Sequence, residues 1–260
     1  MSAAPAVISL DNVSKRYGDA AAVLDGVSLT VPPREFLAIV GPSGSGKTTL
    51  LRLINRLIDP TEGTVLVEGE DVQSVDAAAL RRRIGYVFQG VGLFPHMTVA
   101  ENIAITPKLL GWNEARMTAR VDELLELVRL DHAKYRGRFP AQLSGGERQR
   151  VGVARAIAAG PKIVLMDEPF GALDPLTRDA LGEDYKRLHG ELDLTTVMIT
   201  HDMLEALLLA DRIAVIRGGR IVAEGTPHSL MHGEQNDYVR ELMATPRRQA
   251  DRLRALDRQP

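Results

Sequence analysis

The sequence predicts an α/β fold built on a mostly parallel β-sheet. Short apolar segments with strand character alternate with segments of helical periodicity, and this alternation is typical of parallel sheets. One apolar strand at residues 35–40 leads directly into a glycine-rich loop at residues 41–48, and a helix is expected over residues 49–57. A strand, a glycine loop and a helix in this order are what a phosphate-binding loop requires.

The other elements continue this alternation along the chain. Further strands are expected at residues 7–10, 27–31, 64–68, 162–166, 195–199 and 213–216, and helices at residues 117–130 and 147–159. The stretch between about residues 91 and 159 is largely helical in pattern and is predicted to be an insert. Residues 246–260 hold five arginines and two aspartates with little apolar periodicity. This composition favours a solvated tail, and a contact with lipid headgroups or a partner loop is the alternative.

The composition is that of an ordinary globular protein. Hydrophobic residues make up 45% of the 260 residues and charged residues 25%, which allows one large α/β domain or a core with an inserted subdomain. A formal net charge of −2 gives no reason to expect a nucleic-acid partner. The absence of cysteine excludes disulfides, thiolate metal sites and cysteine nucleophiles. No apolar run approaches the roughly 20 residues that cross a bilayer, so we expect a cytosolic chain unless a partner holds it at a membrane.

The glycine-rich loop matches the phosphate-binding pattern G-x-x-x-x-G-K-[ST] at every position. The predicted nucleotide-binding residues here are Gly41, Pro42, Ser43, Gly44, Ser45, Gly46, Lys47, Thr48 and Thr49. The glycines let backbone N–H groups turn toward a phosphate, and the following helix offers its positive N-terminus. Lys47 is expected to reach the β- and γ-phosphates, and Thr48 to place its hydroxyl on Mg²⁺. Kinases, GTPases and many ATPases share this loop, so it does not define the reaction.

Two acidic residues, Asp167 and Glu168, directly follow an apolar strand. Carboxylates in this position are costly unless a positive group meets them. Asp167 is predicted to bind Mg²⁺ directly or through water, and Glu168 to polarise the water that attacks the γ-phosphate. The alternative is a pair of exposed acids at a strand end. The phosphate loop upstream favours the catalytic interpretation.

A second anion-binding element lies at residues 143–149 (LSGGERQ), about 100 residues after the phosphate loop. Ser144 is a suitable N-cap, and Gly145 and Gly146 free backbone donors at the start of a helix. A single site does not need two such elements at this separation. A head-to-tail dimer does, because each protomer then supplies one half of each site.

With these motifs, the chain resembles the nucleotide-binding subunits of ABC transporters. Residues 143–149 resemble the LSGGQ signature with Glu147 in the glutamine position, and residues 171–174 (GALD) resemble the D-loop. The resemblance implies that Tyr17 stacks on adenine. It also implies that Gln89 of the Q-loop touches Mg²⁺ or the attacking water, and that His201 donates a hydrogen bond to the γ-phosphate.

The resemblance assigns the residues to three roles. Catalysis would fall to Glu168, His201, Gln89 and Lys47, and the metal to Thr48, Gln89 and Asp167, while Tyr17, the phosphate loop and Ser144, Gly145 and Gly146 would bind ATP. The implied cofactors are ATP and Mg²⁺. The implied partners are a second ATPase subunit in a head-to-tail dimer, transmembrane permease subunits and a solute-binding protein. The chain would lie peripherally at the cytoplasmic face of the inner membrane.

The same resemblance, which covers roughly residues 7–235, implies the architecture. It predicts a P-loop NTPase core with a mostly parallel sheet, an antiparallel β subdomain and an inserted helical subdomain. The nucleotide-binding domain is expected at residues 1–235, with its core at 1–90 and 160–235 and the helical insert at about 91–159, followed by a helical, basic tail at 236–260.

The solute is indicated only by likeness. Residues 54–57, 82–99 and 169–178 resemble bacterial importers of glycine betaine, choline and other quaternary-amine osmoprotectants. Import of another small solute, such as an amino acid or a sulfonate, and an exporter role stay open. ABC proteins of DNA repair need a long coiled-coil insertion, whereas only about 100 residues without sustained heptads separate the phosphate loop from residues 143–149. Translation-associated ABC proteins need two tandem nucleotide domains, whereas each motif occurs once here. A P-loop kinase does not explain residues 143–149.

Overall fold

Strands and helices alternate along the computed structural model, which describes residues 5–233 and 236–256. The strands are β1 (Ile8–Lys15), β2 (Leu24–Val31), β3 (Phe36–Val40), β4 (Glu62–Val67), β5 (Glu70–Asp71), β6 (Ile84–Val87), β7 (Ile163–Asp167), β8 (Thr195–Thr200), β9 (Arg212–Arg217) and β10 (Arg220–Gly225). The helices are α1 (Lys47–Ile54), α2 (Ala77–Arg83), α3 (Val99–Leu109), α4 (Glu114–Leu127), α5 (His132–Tyr135), α6 (Gly145–Ile157), α7 (Pro175–Glu191), α8 (Met203–Leu209), α9 (Pro227–His232) and α10 (Asp237–Leu256), with a 3₁₀ turn at Pro140–Gln142.

The strands form two sheets. The larger has the order β10-β9-β3-β8-β7-β6, and all its pairings are parallel except the one between β10 and β9 at the edge. The smaller has the order β2-β1-β4-β5 and is antiparallel throughout. The predicted fold class, with its mostly parallel sheet and antiparallel β part, is therefore confirmed.

The predicted strands all occur, and the largest error in their bounds concerns β1. This strand runs to Lys15 rather than ending at residue 10, and it pairs on both sides with β2 and β4. Its register shifts between Leu10 and Val13, and Asn12 has a φ of +48°. Bulges of this kind break the alternation of polar and apolar residues, which hid the second half of the strand. Helix α1 begins at Lys47, two residues before the expected start at residue 49, directly after Gly46.

Helix α10 forms most of the C-terminal segment, for which the sequence predicts a helical, basic tail. Helix α10 continues through residue 256, and residues 257–260 lie outside the described residues. Val239 and Met243, one turn apart, are both buried and anchor the first half of the helix. Among the described residues, no helix is both long and apolar enough to cross a bilayer.

Helices α3, α4 and α6 pack against one another, and α6 also contacts β6 and α7. Their buried side chains, among them Ile103, Leu124 and Val151, share one apolar core with Val164 and Met198 of the larger sheet. Helix α6 is therefore held firmly against the sheet that carries the phosphate loop. A second core lies between the two sheets and α1.

Asp184 of α7 ties these helices to the rest of the core through two ion pairs. Its carboxylate is only 5% exposed, and its oxygens lie 2.7 Å from Nη1 of Arg150 and 2.8 Å from Nη2 of Arg129. Nη1 of Arg150 also donates to the carbonyl of Val128 at 2.9 Å. Asp184 thus joins α6 and the end of α4 to α7.

Replacing Asp184 by alanine should lower the free energy of unfolding by about 2–4 kcal/mol, because Arg150 would keep a largely buried charge without its carboxylate. Urea denaturation followed by circular dichroism measures this change. The matched control is Glu183→Ala, an exposed acid on the same helix, which should change the free energy of unfolding by less than about 0.5 kcal/mol. Equal effects of the two substitutions would contradict the bridging role of Asp184.

Candidate nucleotide site

The phosphate loop starts where β3 ends, and all five residues of β3 are buried. Two of its glycines are required by close approaches. A Cβ at Gly41 would lie 2.2 Å from the carbonyl oxygen of Ile216, and one at Gly46, which has a φ of +100°, would lie 2.6 Å from Cδ2 of Leu24. The loop is therefore fixed by β9 and β2 as well as by its own sequence.

Lys47 lies over this loop in the first turn of α1. Its ammonium donates hydrogen bonds to the carbonyls of Gly41 at 2.8 Å and Pro42 at 3.0 Å. Burial lowers the pKa of Lys47, while the nearby carboxylates of Glu168 and Asp167 act in the opposite direction. The charge is thus kept close to the loop, where the phosphates of a nucleotide would bind.

Two side-chain oxygen atoms that are candidate metal ligands lie beside Lys47. Thr48 Oγ1 donates to Asp167 Oδ1 at 3.3 Å, and Asp167 is buried at the end of β7, where desolvation raises its pKa. Neighbouring ligands of an octahedral Mg²⁺ lie about 2.9 Å apart, and the ion prefers carboxylate and hydroxyl oxygens. The separation and the chemistry of Thr48 and Asp167 therefore fit Mg²⁺. The hydroxyl of Ser45 is buried without a hydrogen-bond partner among the described residues, as suits a donor that faces an anion.

Three motifs that were predicted separately meet at one carboxylate oxygen. Oε2 of Glu168 accepts a hydrogen bond from Nε2 of Gln89 at 3.1 Å and lies 3.2 Å from Nδ1 of His201. The backbone N–H of Glu168 donates to the carbonyl of Ile199, and its φ of +44° is unusual for a residue other than glycine. Backbone strain of this kind is found at functional sites, where the surroundings hold it in place.

Of the three residues predicted to hold the metal, Thr48 and Asp167 lie next to each other, whereas Gln89 does not contact them. Among the described residues, the amide of Gln89 hydrogen-bonds to Glu168, and it bonds neither to Thr48 nor to Asp167. Contact of Gln89 with the metal therefore stays a prediction. Its contact with the carboxylate expected to activate water is direct.

These side chains open onto a cavity of about 450 Å³. Its lining includes Gln89, Glu168 and His201 together with Gly145 and Arg148 in the first turns of α6. Tyr17 lies apart from this lining, at the end of β1, with 48% of its surface exposed and the ammonium of Lys15 at 5.2 Å from its ring centroid. An exposed ring of this kind can accept a purine on its free face.

The sequence profile of the ABC transporter family matches residues 24–171, more than half of the chain. This chain belongs to the ABC transporter family. The fold agrees, because the chain superposes with a TM-score of 0.76 and 35% identity on the dimeric ATP-binding cassette MJ0796 bound to ADP and Pi, covering 85% of this chain and 98% of that one.

Among curated ABC proteins, the chain is similar to transport subunits for different solutes. It is 47% identical over 241 residues to the choline transport ATP-binding protein OpuBA of Bacillus subtilis, covering 93% of this chain and 63% of that protein. It is 46% identical over 236 residues to the glycine betaine uptake system ATP-binding protein YehX of Escherichia coli, covering 91% and 76%. It is also 47% identical over 237 residues to the sulfate/thiosulfate import ATP-binding protein CysA of Nocardia farcinica, covering 91% and 70%.

The ABC signature segment is stabilised by a capping box at the start of α6. Ser144 Oγ accepts from the N–H of Glu147 at 3.2 Å, and Glu147 Oε2 accepts from the N–H of Ser144 at 2.7 Å. Tyr135 donates a further hydrogen bond to Glu147 Oε1, at 2.5 Å. Either glutamate or glutamine completes a capping box. This explains in physical terms how Glu147 stands in the glutamine position without loss of the helix start.

Sequence reasoning missed Arg178, which connects the loop at residues 171–174 to the segment around His201. Its guanidinium donates to the carbonyl of Leu173 in the D-loop at 3.1 Å and to Asp202, next to His201, at 3.1 Å. Asp202 in turn caps α8 by accepting from the N–H of Leu204. The only signal in the sequence was an arginine four residues after the D-loop aspartate, Asp174. Its partner Asp202 lies 24 residues further along the chain.

Proposed function

We propose that this chain hydrolyses ATP and energises an ABC importer of quaternary-amine osmoprotectants such as glycine betaine or choline. The observation that carries the hydrolytic part is the meeting of Gln89 and His201 at one oxygen of Glu168. The solute rests on the relatives named for choline and glycine betaine transport, and on the likeness of residues 54–57, 82–99 and 169–178 to such importers. The chain spans 63% of the length of the choline relative, so the relative has a further part without a counterpart in this comparison.

The residues divide the work of phosphoryl transfer. Lys47 and the backbone N–H groups of the loop bind the β- and γ-phosphates, and Thr48 and Asp167 hold Mg²⁺. The ion, when bound, neutralises charge on the phosphate oxygens. Glu168 accepts a hydrogen bond from the attacking water and orients it, while Gln89 fixes the carboxylate from one side. His201 turns its ring from Glu168 toward the γ-phosphate and donates a hydrogen bond to it.

Two copies complete each site in this proposal. Ser144, Gly145 and Gly146 of one copy bind the nucleotide held by the phosphate loop of the other. Support comes from the N–H groups of Gly145 and Gly146 in the first turn of α6, which have no carbonyl partner within a helix, and from the dimeric assembly of the related cassette structure. ATP would close the dimer and hydrolysis would release it.

The work of the dimer passes to permease subunits at the cytoplasmic face of the membrane, with a solute-binding protein in the full importer. The exposed rings of Phe88 and Phe94 stand on either side of residues 89–93 and are 44% and 40% exposed. Exposed apolar side chains of this kind suit a contact with another protein. The surface around Gln89 and the helical segment is therefore the proposed permease contact.

Sulfate or thiosulfate import is the second candidate. The chain is as similar to the sulfate/thiosulfate relative, at 47% identity, as to the choline relative. The ATPase subunit does not touch the solute, so identity at this level does not separate the two solutes.

Uptake assays separate the candidates. The gene is deleted in its own host, and uptake of radiolabelled glycine betaine, choline and sulfate is measured at high external osmolarity. Loss of quaternary-amine uptake, restored by the wild-type gene and not by Glu168→Gln, is the expected result. Loss of sulfate uptake alone would replace the solute and keep the ATPase role. Unchanged uptake together with an accumulated cellular solute would favour export.

A further inference from the structure

Arg155 is buried in the last turn of α6, and its charge meets no carboxylate among the described residues. It is 8% exposed, and desolvation lowers its pKa. Nη2 donates to the carbonyl of Val91 and Nη1 to that of Gly92, both at 2.7 Å. Its Cζ lies 5.9 Å from the ring centroid of Phe88. The guanidinium therefore contacts the Q-loop on both sides of Gln89, at Phe88 before it and at residues 91–92 after it.

The part of the Q-loop that Arg155 holds has an unusual backbone. Gly90, Val91 and Gly92 have φ values of +76°, +69° and +54°. Glycine adopts this left-handed conformation readily, whereas a β-branched residue such as valine rarely does. Among the described residues, the backbone hydrogen bonds within residues 88–92 are local, and they run from the N–H of Val91 to the carbonyl of Phe88 and from the N–H of Gly92 to that of Gly90. A strained valine persists only where its surroundings hold it.

Helix α6 also supplies a space for the valine side chain. A Cβ built at Gly152 would lie 2.9 Å from Cγ1 of Val91, closer than side-chain carbons normally approach. Gly152 lies three residues before Arg155, on the same face of the helix. One face of α6 thus receives the side chain of Val91 and binds its carbonyl.

We infer that Arg155 and Gly152 are positioning residues that hold the Q-loop in the conformation that places Gln89 on Glu168. The inference rests on the proposed ATPase function and deepens it. Helix α6 starts directly after Ser144 and carries Arg155 near its other end. The same rigid element that presents the signature to one nucleotide therefore fixes the Q-loop beside the other. A displacement of the signature on nucleotide binding would shift Gln89 relative to Glu168.

Arg155→Lys tests the role of the guanidinium, because a lysine keeps the positive charge but has no planar group. It therefore cannot donate to the carbonyls of Val91 and Gly92 and cover the ring of Phe88 at the same time. Steady-state hydrolysis should show kcat reduced at least about 10-fold, because displaced catalytic groups lose rate steeply. KM for ATP should stay within about 2-fold of wild type, since the phosphate loop is untouched. In the Glu168→Gln background, ATP should still induce the dimer. Equal loss of kcat, ATP binding and dimer formation would indicate a merely structural role and overturn the inference.

A substitution at Gly152 with a compensating substitution at Val91 provides the second test. Gly152→Ala should lower kcat by pushing Val91 out of its space, and adding Val91→Ala, which removes Cγ1, should restore kcat to within about 3-fold of wild type. The matched control is Gly190→Ala, a helical glycine whose added Cβ meets nothing within 4 Å, and its kcat should be unchanged. A double variant no more active than Gly152→Ala would overturn the inference. If the wild type is active and both Arg155→Lys and Gly152→Ala are fully active, the inference is overturned while the proposed function stands. If the wild type itself is inactive, the proposed function is overturned together with the inference.

Discussion

Replacing Glu168 by glutamine is expected to reduce kcat for ATP hydrolysis by about 10²–10³-fold, within the range that a positioned general base contributes. The amide keeps the size of the side chain and can still accept a hydrogen bond from Gln89, so the cavity and the φ of +44° at this position are preserved. What the amide lacks is the negative charge that draws a proton from the attacking water. Phosphate release at saturating ATP measures the change.

Two comparisons make this expectation specific to Glu168. Glu183→Gln, at an exposed acid on α7, should hydrolyse ATP at the wild-type rate. Equilibrium titration should show that Glu168→Gln binds ATP as tightly as wild type, because the phosphate loop is unchanged. A Glu168→Gln protein that released phosphate at the normal rate would remove the role assigned to this carboxylate.

Removing the ammonium of Lys47 is the second large expected effect. Lys47→Ala should weaken ATP binding by about 10²-fold, since the loss of one partner from a buried, charge-assisted contact costs several kcal/mol. Burial lowers the pKa of Lys47, which means that its positive charge is unfavourable in the nucleotide-free fold. The alanine protein should therefore remain folded without nucleotide.

The control for this prediction is Lys162→Ala, which removes an exposed lysine beside β7. Its affinity for ATP should equal that of wild type. Calorimetric titration gives the affinities, and thermal unfolding without nucleotide gives the stabilities. An alanine variant of Lys47 with wild-type affinity would contradict the placement of the phosphates at the loop, and an unfolded one would show that Lys47 supports the fold itself.

Much of this fold was predictable because its central strands are short and fully buried. Strand β3 is buried along its whole length, and so is β7, so a simple run of apolar residues identified each of them. Strand β10 was missed because it lies at the sheet edge with alternating exposed and half-buried residues. The second half of β1 was missed because Asp11 and Asn12 interrupt its apolar pattern at a bulge.

In the candidate site, too, residues that local sequence fixes were predictable, and residues that depend on contacts across the fold were not. Local motifs identified Lys47 and Glu168, because a glycine loop and a strand end fix such side chains within a few residues. Contacts that cross the fold had no such signal. Arg155 looks like any basic residue on a helix, and its partners are backbone carbonyls 63 and 64 residues earlier in the chain. Asp184 likewise gains its importance only when α7 meets Arg150 of α6.

The mass in solution of the Glu168→Gln protein with and without ATP tests most directly whether two copies complete each site. Light scattering should give the mass of one 28.4 kDa chain without nucleotide and twice that mass with ATP. Adding Ser144→Arg, which fills the start of α6 with a bulky cation, should keep the chain monomeric in ATP while the phosphate loop still binds the nucleotide. A Glu168→Gln protein that binds ATP and stays monomeric, or a Ser144→Arg variant that dimerises equally well, would contradict the shared site.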